Sequence, residues 1–236
     1  TTQIRNIIFI RYRIENPGII SEVLDSVYFG AYLDADIGNY NDDLVGCDTN
    51  LNAGFAYQKD ADDIWDNSTP AVLYSILQGP SEFIPNISFN DINGNGIFDD
   101  NETPIDTAYE VNGYVSGTNN IIGAKNLNVT SFAPEYYSMI DYDEIYPLRN
   151  QMLGLSKGGQ KIDACDWQFG EVIDEDCNTI NGLFTYSGNP IIPHGWINTA
   201  PNDVSAILNT GPFILEKNKP KDIVVAYVVG YDETNS

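Results

Sequence analysis

The sequence predicts an all-β domain, an antiparallel β-sandwich or jelly roll with long acidic loops and one small helical insert. Two features support this prediction. Apolar and polar residues alternate in many short runs, which is the pattern of half-buried strands. Between these runs lie most of the 20 Gly and 12 Pro residues, together with abundant Asn, and all three types favour tight turns. Because no internal repeat or low-complexity linker divides the chain, we expect a single domain over residues 1–236, as a piece of a longer polypeptide.

The strands are predicted where the alternation is clearest. The first covers residues 8–14, with apolar side chains on one face and charged side chains on the other. The others follow in chain order at 25–33, 71–77, 108–115, 125–132, 182–186, 213–215 and 223–231. Only residues 134–153 show helical spacing of apolar residues, and Pro147 interrupts that spacing. Since proline breaks a helix interior, we expect two short helices there.

The charge of the chain excludes several classes of partner. It has 34 acidic and 11 basic residues, a formal net charge of −23. Nucleic acids and anionic membrane surfaces are bound by clustered Lys and Arg, so we expect neither as a partner. No run of 18 apolar residues is present, and we therefore expect no membrane insertion. The hydrophobic content of 42% is too high for a disordered acidic chain.

The acidic residues are concentrated in two windows. Residues 34–66 contain nine Asp residues and a single basic residue, Lys59, while residues 91–106 contain five acidic residues and no basic one. Carboxylates that lie close together without counter-charges repel one another unless a cation is bound among them. The distribution therefore indicates cation binding.

Residues 91–102, DINGNGIFDDNE, match the calcium-loop template D-x-[DN]-x-[DN]-G-x5-E at every specified position. Calcium takes six to eight oxygen ligands, which a loop of this length can supply. The predicted ligands are side-chain oxygens, the backbone carbonyl at the seventh position and a bidentate glutamate at the twelfth: Asp91, Asn93, Asn95, Ile97, Asp99 and Glu102. Neither flank resembles a helix, so we expect the loop to join strands. A metal-free polar turn is the alternative.

The first window predicts a second or third calcium site without matching a known template. Around Gly38 and Asn39, the candidate ligands are Asp34, Asp36, Asp42 and Asp43, and a following loop could add Asp60, Asp62 and Asp63. The alternative is a solvated loop rich in aspartate.

Three cysteines are present, and none belongs to a CxxC pair. Cys165 and Cys177 are close in sequence and could form a local disulfide in an exported protein, which leaves Cys47 unpaired. Three buried free thiols are the alternative. A zinc site is disfavoured because the chain has one histidine.

Signs of catalysis are weak. Residues 154–158 match G-x-S-x-G, but that motif needs a preceding strand and a following helix, and here a helical segment precedes it and two glycines follow. His194 lies in a tight turn beside an aromatic residue, which is typical of a structural histidine. We therefore expect no enzyme. A secreted hydrolase stays open as the less favoured alternative, and so does a carbohydrate-binding module that would use Trp65, Trp167 or Trp196.

Residues 28–63, YFGAYLDADIGNYNDDLVGCDTNLNAGFAYQKDADD, resemble a segment of large proteins exported by the type IX secretion system of Bacteroidota and related bacteria. Further similar stretches follow in the same order at 70–80, 187–196 and 209–230. The resemblance implies an extracellular or cell-surface module, and it strengthens the prediction of metal ligands between Asp34 and Asp43. No activity is attached to these modules.

Taken together, these features predict a non-catalytic, calcium-binding structural or adhesion module outside the cell. Its expected partners are neighbouring domains of the same polypeptide or copies of itself, including self-assembly, with glycans as the alternative.

Overall fold

The computed structural model describes residues 6–61, 64–65, 69–111, 117–136 and 145–230. Within these ranges the chain forms antiparallel β-sheets and one α-helix, which confirms the all-β prediction and the small helical insert. In the same part of the chain, no helix combines the length and apolar character needed to cross a membrane.

The larger sheet has five strands in the order β1-β16-β5-β4-β3, and every neighbouring pair is antiparallel. These strands are β1 (Ile7–Ile14), β3 (Leu44–Asp48), β4 (Ala53–Tyr57), β5 (Ala71–Gln78) and β16 (Lys221–Gly230). The predicted charged face of β1 has a structural role, because Arg11 and Arg13 both donate hydrogen bonds to the buried carboxylate of Asp222 at the start of β16. This pairing attaches the outermost strand to the sheet.

The second main sheet has the order β12-β15-β2, again antiparallel. Its strands are β2 (Val23–Leu33), β12 (Val129–Tyr136) and β15 (Val204–Glu216). The remaining strands form two-stranded ribbons: β6 (Ser81–Glu82) with β11 (Lys125–Asn126), β7 (Phe89–Asn90) with β8 (Thr103–Pro104), β9 (Thr107–Val111) with β10 (Thr118–Ile122), and β13 (Gly170–Ile173) with β14 (Gly195–Asn198).

The core lies between the two main sheets. Phe132 and Leu208 of the three-stranded sheet and Tyr74 and Val225 of the five-stranded sheet are fully buried in one apolar cluster. Trp196 of β14 joins the same cluster and is also fully buried. Burial of apolar area on both inner faces is the main contribution to the stability of such a sandwich.

The helical prediction for 134–153 is partly wrong. Residues 134–136 belong to β12, because they pair in antiparallel register with residues 204–206 of β15, while residues 137–144 lie outside the described ranges. The helix α1 covers Ile145–Met152 and contains Pro147. Proline is tolerated there because the first amide groups of a helix have no intrahelical acceptor.

The predicted strand at 182–186 is also wrong. Leu183 donates its backbone N–H to the side chain of Asn181, and Phe184 donates to the Asn181 carbonyl, so this segment is a turn. Tyr186 then has a φ of 59°, a left-handed conformation that ends any strand. Predicted strand 125–132 splits into β11 and β12, and of predicted strand 108–115 only the part up to Val111 lies in the described ranges.

Cys165 and Cys177, the candidate pair from the sequence, are joined by a disulfide. The bridge ties the segment before β13 to a single turn of 3-10 helix at Cys177–Thr179. Cys47 is a free, buried thiol in β3, and burial raises its pKa well above the ordinary value.

Candidate metal centres

Two loops from distant parts of the sequence bring three carboxylates together. Asp34 follows the last residue of β2, and Asp203 precedes the first residue of β15. Because β2 and β15 are antiparallel partners, with Leu33 opposite Ala206, the end of one strand lies beside the beginning of the other. One ligand oxygen from each of Asp34, Asp36 and Asp203 lies within 4.8 Å of the others. This group, called the carboxylate cluster below, could hold a metal ion.

The distances in the carboxylate cluster suit a shared cation. Calcium binds oxygens at about 2.3–2.6 Å, so two oxygens on one ion lie within about 5 Å of each other. Asp36 adopts a φ of 42°, which turns the chain so that two aspartates separated by one residue reach the same point. The pKa of Asp34 is raised, first by burial and then by the negative charges of Asp36, Asp203 and Glu135. The site therefore disfavours its own ionised form in the absence of a cation.

Asp43 is the most buried acidic residue near this loop, with 2% of its surface exposed. Its Oδ2 accepts a hydrogen bond from the backbone N–H of Ile37 at 3.2 Å, whereas Oδ1 is buried and has no partner within the described ranges. Burial raises the pKa of Asp43 to about 7. The hydrogen bond from Ile37 lowers this pKa, whereas the negative charges of Asp42, Asp36 and Asp34 raise it further. The backbone carbonyl of Asp43 accepts a hydrogen bond from the Asn202 N–H at 3.2 Å, which holds this loop next to Asp203.

Asp42 faces a different partner, the side chain of Gln58, which follows directly after β4. The Gln58 amide nitrogen donates to Asp42 Oδ1 and to the carbonyl of Ile37, and it lies 3.5 Å from the carbonyl of Asn39. Gln58 Oε1 is buried, and no described residue is its hydrogen-bond partner.

The predicted ligands of the first window therefore separate into groups. Asp34 and Asp36 meet in the carboxylate cluster, while the carboxylates of Asp42 and Asp43 lie outside that group of three. Asp60 is exposed and is not a member of it either. Asp62 and Asp63 lie outside the described residues. Asp203 is a cluster member that sequence reasoning missed, since it belongs to no motif and is 167 positions from Asp36 in the numbering of the chain.

The loop 91–102 connects β7 and β8, which pair with Phe89 opposite Pro104 and Asn90 opposite Thr103. The prediction that this loop joins strands is thus confirmed. Phe98 anchors the loop by packing against Phe83 and Phe89, with ring centroids 5.9 Å and 5.4 Å apart. This aromatic contact holds the loop against β7.

Side-chain oxygens organise the backbone of this loop. Asp91 Oδ1 accepts from the N–H groups of Gly94 and Asn95 at 2.8 Å and 3.2 Å, and Asp91 Oδ2 accepts from Gly96 at 3.0 Å. Gly94 and Gly96 have φ values of 71° and 75°, which glycine adopts without steric cost. Asp99 Oδ2 accepts from the side-chain amides of Asn93 and Asn95 at 2.8 Å and 2.9 Å.

Glu102 closes the loop. Its side chain is nearly buried, with Oε1 accepting from the Ile92 N–H at 2.9 Å and Oε2 from the Asp99 N–H at 3.1 Å. The two carboxylate oxygens therefore reach both ends of the loop. Ile97, whose carbonyl is the predicted backbone ligand, has an exposed side chain. Such an arrangement of oxygens is compatible with a cation, although the acidic side chains of this loop form no group as close as the carboxylate cluster in the ranges described.

The residues considered for catalysis have other partners. Ser156 Oγ accepts a hydrogen bond from the Gln160 N–H at 3.1 Å, and the helix α1 precedes it where a nucleophile elbow needs a strand. His194 Nδ1 lies 3.4 Å from Glu175 Oε1 at the surface. Ser156 thus has a partner in its own turn, and His194 has one on the segment that follows β13.

The three tryptophans do not form one exposed platform. Trp196 is fully buried in the core, and Trp167 is half-buried, with its indole N–H donating to the Tyr186 hydroxyl at 2.6 Å. Trp65 has 42% of its surface exposed. Trp196 is thus excluded as a sugar-stacking residue.

Comparisons with known proteins found no matching family model, no matching curated protein and no matching solved structure.

Proposed function

We propose that this chain is a calcium-stabilised, non-catalytic structural or adhesion module of a bacterial extracellular or cell-surface protein. The observation that carries the proposal is the convergence of Asp34, Asp36 and Asp203 within 4.8 Å of one another. Three carboxylates at this separation repel one another strongly enough to oppose folding, and a bound cation removes that repulsion.

The chemistry of the donors favours calcium over other cations. Both candidate sites offer carboxylate, amide and carbonyl oxygens, which are the ligands of hard cations. Magnesium prefers a small octahedral site in which it keeps several waters, whereas calcium accepts larger, less regular oxygen cages. The loop 91–102 supports the same choice because it has the calcium-loop sequence, two turns at glycine and a buried Glu102.

In this proposal the ions lock loops between strands. One ion would join the end of β2 to the beginning of β15, and another would close the β7–β8 connection. At free calcium about a hundredfold above the dissociation constant, each site would add roughly 2.7 kcal/mol of stability. That is a substantial share of a typical unfolding free energy of about 5–15 kcal/mol.

Two features support a location outside the cell. The disulfide between Cys165 and Cys177 is of the kind that persists in oxidising compartments. Calcium sites that rely on exposed carboxylates suit a compartment where the ion is abundant. Together with the resemblance to type IX secreted proteins, they favour neighbouring domains or further copies of the chain as partners.

Thermal denaturation with excess calcium and with a chelator tests the metal proposal. We expect the melting temperature to fall markedly in chelator and to recover when calcium is restored. Asp91→Asn and Asp36→Asn should each reduce the calcium response, whereas Asp100→Asn, at a non-ligand position of the same loop, and Asp166→Asn, an exposed aspartate elsewhere, serve as matched controls. An identical melt in calcium and chelator would refute the proposal.

A further inference from the structure

A compact group of oxygens lies beside the carboxylate cluster, in the loop between β2 and β3. The carbonyls of Ile37 and Asn39 and the carboxylate oxygen Oδ1 of Asp42 all face one atom, the amide nitrogen of Gln58. A turn in which Asp42 N–H donates to the Asn39 carbonyl at 3.3 Å keeps these oxygens on the same side of the loop. Gln58 reaches them from the end of β4, so a sheet strand and a loop enclose the group from two directions.

Two buried oxygens in this part of the molecule have no hydrogen-bond partner among the residues that the structure describes. One is Oε1 of Gln58, and the other is Oδ1 of Asp43. Asp43 is 98% buried and its Oδ2 accepts from the N–H of Ile37, so its carboxylate rests against the residue whose carbonyl faces Gln58. Buried acceptors in native proteins are satisfied by a donor, a water or a cation. The unpartnered Oδ1 of the buried Asp43 indicates a ligand beside the three clustered oxygens, and Gln58 Oε1 is unsatisfied as long as the amide nitrogen faces them.

The side-chain amide of Gln58 can supply an oxygen as readily as a nitrogen. Turning the amide about its terminal torsion exchanges Oε1 and Nε2 with almost no change in shape. Oε1 would then point toward the Ile37 and Asn39 carbonyls and Asp42 Oδ1. Four oxygens that face one another are unfavourable without a positive charge between them and form a suitable cage around a cation.

We propose that Gln58, Asp42 and the carbonyls of Ile37 and Asn39 bind a second calcium ion in this loop, with Asp43 as an additional buried carboxylate. This Gln58 site is distinct from the carboxylate cluster, because Asp42 and Asp43 are not members of that cluster. It is more enclosed, since Asp34 and Asp36 are exposed while Asp43 is buried. The inference rests on the proposed function as a calcium-binding module.

Two substitutions at Gln58 separate a metal ligand from a hydrogen-bond donor. Gln58→Met has a similar size and no oxygen, so it should bind one calcium ion fewer than the wild type. Gln58→Glu removes the amide donor but presents a carboxylate oxygen to the ion. If Gln58 is a ligand, Gln58→Glu keeps the full ion count, with equal or tighter binding, and is destabilised only in chelator. If Gln58 acts only as a donor to Asp42, Gln58→Glu is destabilised in calcium and chelator alike.

The number of bound calcium ions per folded chain, measured by native mass spectrometry and by titration calorimetry, is the deciding observation. We expect three ions in the wild type: one in loop 91–102, one in the carboxylate cluster and one at the Gln58 site. Asp42→Asn is a second variant in case Gln58→Met does not fold, and it should weaken the Gln58 site by about tenfold or more, because affinity follows ligand charge.

The outcomes distinguish this inference from the proposed function. A wild-type chain that binds two ions, one lost in Asp91→Asn and one in Asp36→Asn, would refute the Gln58 site and leave the calcium module intact. Retention of all three ions by Gln58→Met, or loss of one ion by Gln58→Glu, would refute it as well. A wild-type chain that binds no calcium would refute the proposed function together with this inference.

Discussion

The substitution Asp36→Asn should change the stability of the domain in opposite directions with and without calcium. Asp36 shares the carboxylate cluster with Asp34 and Asp203, so its charge is unfavourable when no cation is present and favourable when one is bound. Asparagine is nearly the same size and also tolerates the positive φ of 42° found at this position. The change therefore tests the charge and leaves the backbone conformation intact.

Coulomb's law sets the size of both effects. At the 4.8 Å limit of the cluster, two unit charges in a water-like dielectric repel by about 1 kcal/mol, and neutralising Asp36 removes two such pairs. The calcium-free variant should thus gain about 2 kcal/mol, or about 4–8 °C in melting temperature for a chain of this length. With calcium about a thousandfold above its dissociation constant, the wild type gains about 4.1 kcal/mol from the site. A variant without that ion would then be less stable than the wild type by about 2 kcal/mol.

Thermal melts followed by circular dichroism, at low ionic strength and in both calcium and chelator, provide the assay. Added salt should shrink the gain seen in chelator, because Asp34 and Asp36 are exposed and their repulsion is screened. Asp166→Asn is the control and should shift the melting temperature equally in both conditions. A destabilised Asp36→Asn protein in chelator would show that the carboxylate has a structural role other than metal binding, and the electrostatic reasoning would be wrong.

Two further predictions concern acidity and the disulfide. Burial raises the folded-state pKa of Asp43 to about 7, so the folded chain binds this proton more tightly than the unfolded chain. In chelator, the free energy of unfolding should therefore rise by up to about 4 kcal/mol as the pH falls from about 7 to about 4. Melts of Asp43→Asn across that range should lack this contribution, and an unchanged pH dependence in the variant would contradict it. Replacing both Cys165 and Cys177 by serine should cost about 3 kcal/mol, because the bridge closes a loop with a sequence separation of 12 and restricts the unfolded chain. Urea denaturation under non-reducing conditions measures this loss, and equal stability of the two proteins would show that the bridge does not constrain unfolding.

Local pattern predicted most of the long strands and failed where tertiary packing overrides it. The alternation in β2, β5 and β16 was sufficient because each has one face toward the sandwich core. In the edge strand β1 only Tyr12 and Ile14 pack against the core, while Ile8 and Ile10 are exposed. The run 182–186 contains Leu183, Phe184 and Tyr186, but the Asx turn at Asn181 and the left-handed conformation of Tyr186 make it a turn. Strand β15 was recognised only at 213–215, because its first half is buried on both faces and shows no alternation.

Of the two candidate metal centres, one could be predicted from the sequence and the other could not. Loop 91–102 is predictable from sequence because one continuous segment carries all its oxygens and both turn glycines, so spacing alone specifies the arrangement. The carboxylate cluster needs Asp203, which the pairing of β2 with β15 brings to Asp34 and Asp36. The separate environments of Asp42 and Asp43 likewise depend on Gln58 and on burial against Asn202.

The sequence by itself determined that the protein is an acidic, all-β chain with aspartate-rich loops, because strand alternation, turn residues and clustered aspartates are local properties. Only the tertiary structure decided which aspartates meet. Repulsion between carboxylates depends on their separation in space, and for residues as distant as Asp36 and Asp203 that separation is set by the register of the sheet. A group of carboxylates that could hold a metal ion is therefore a property of the folded arrangement, although two of its three members lie in a window that the sequence marks as acidic.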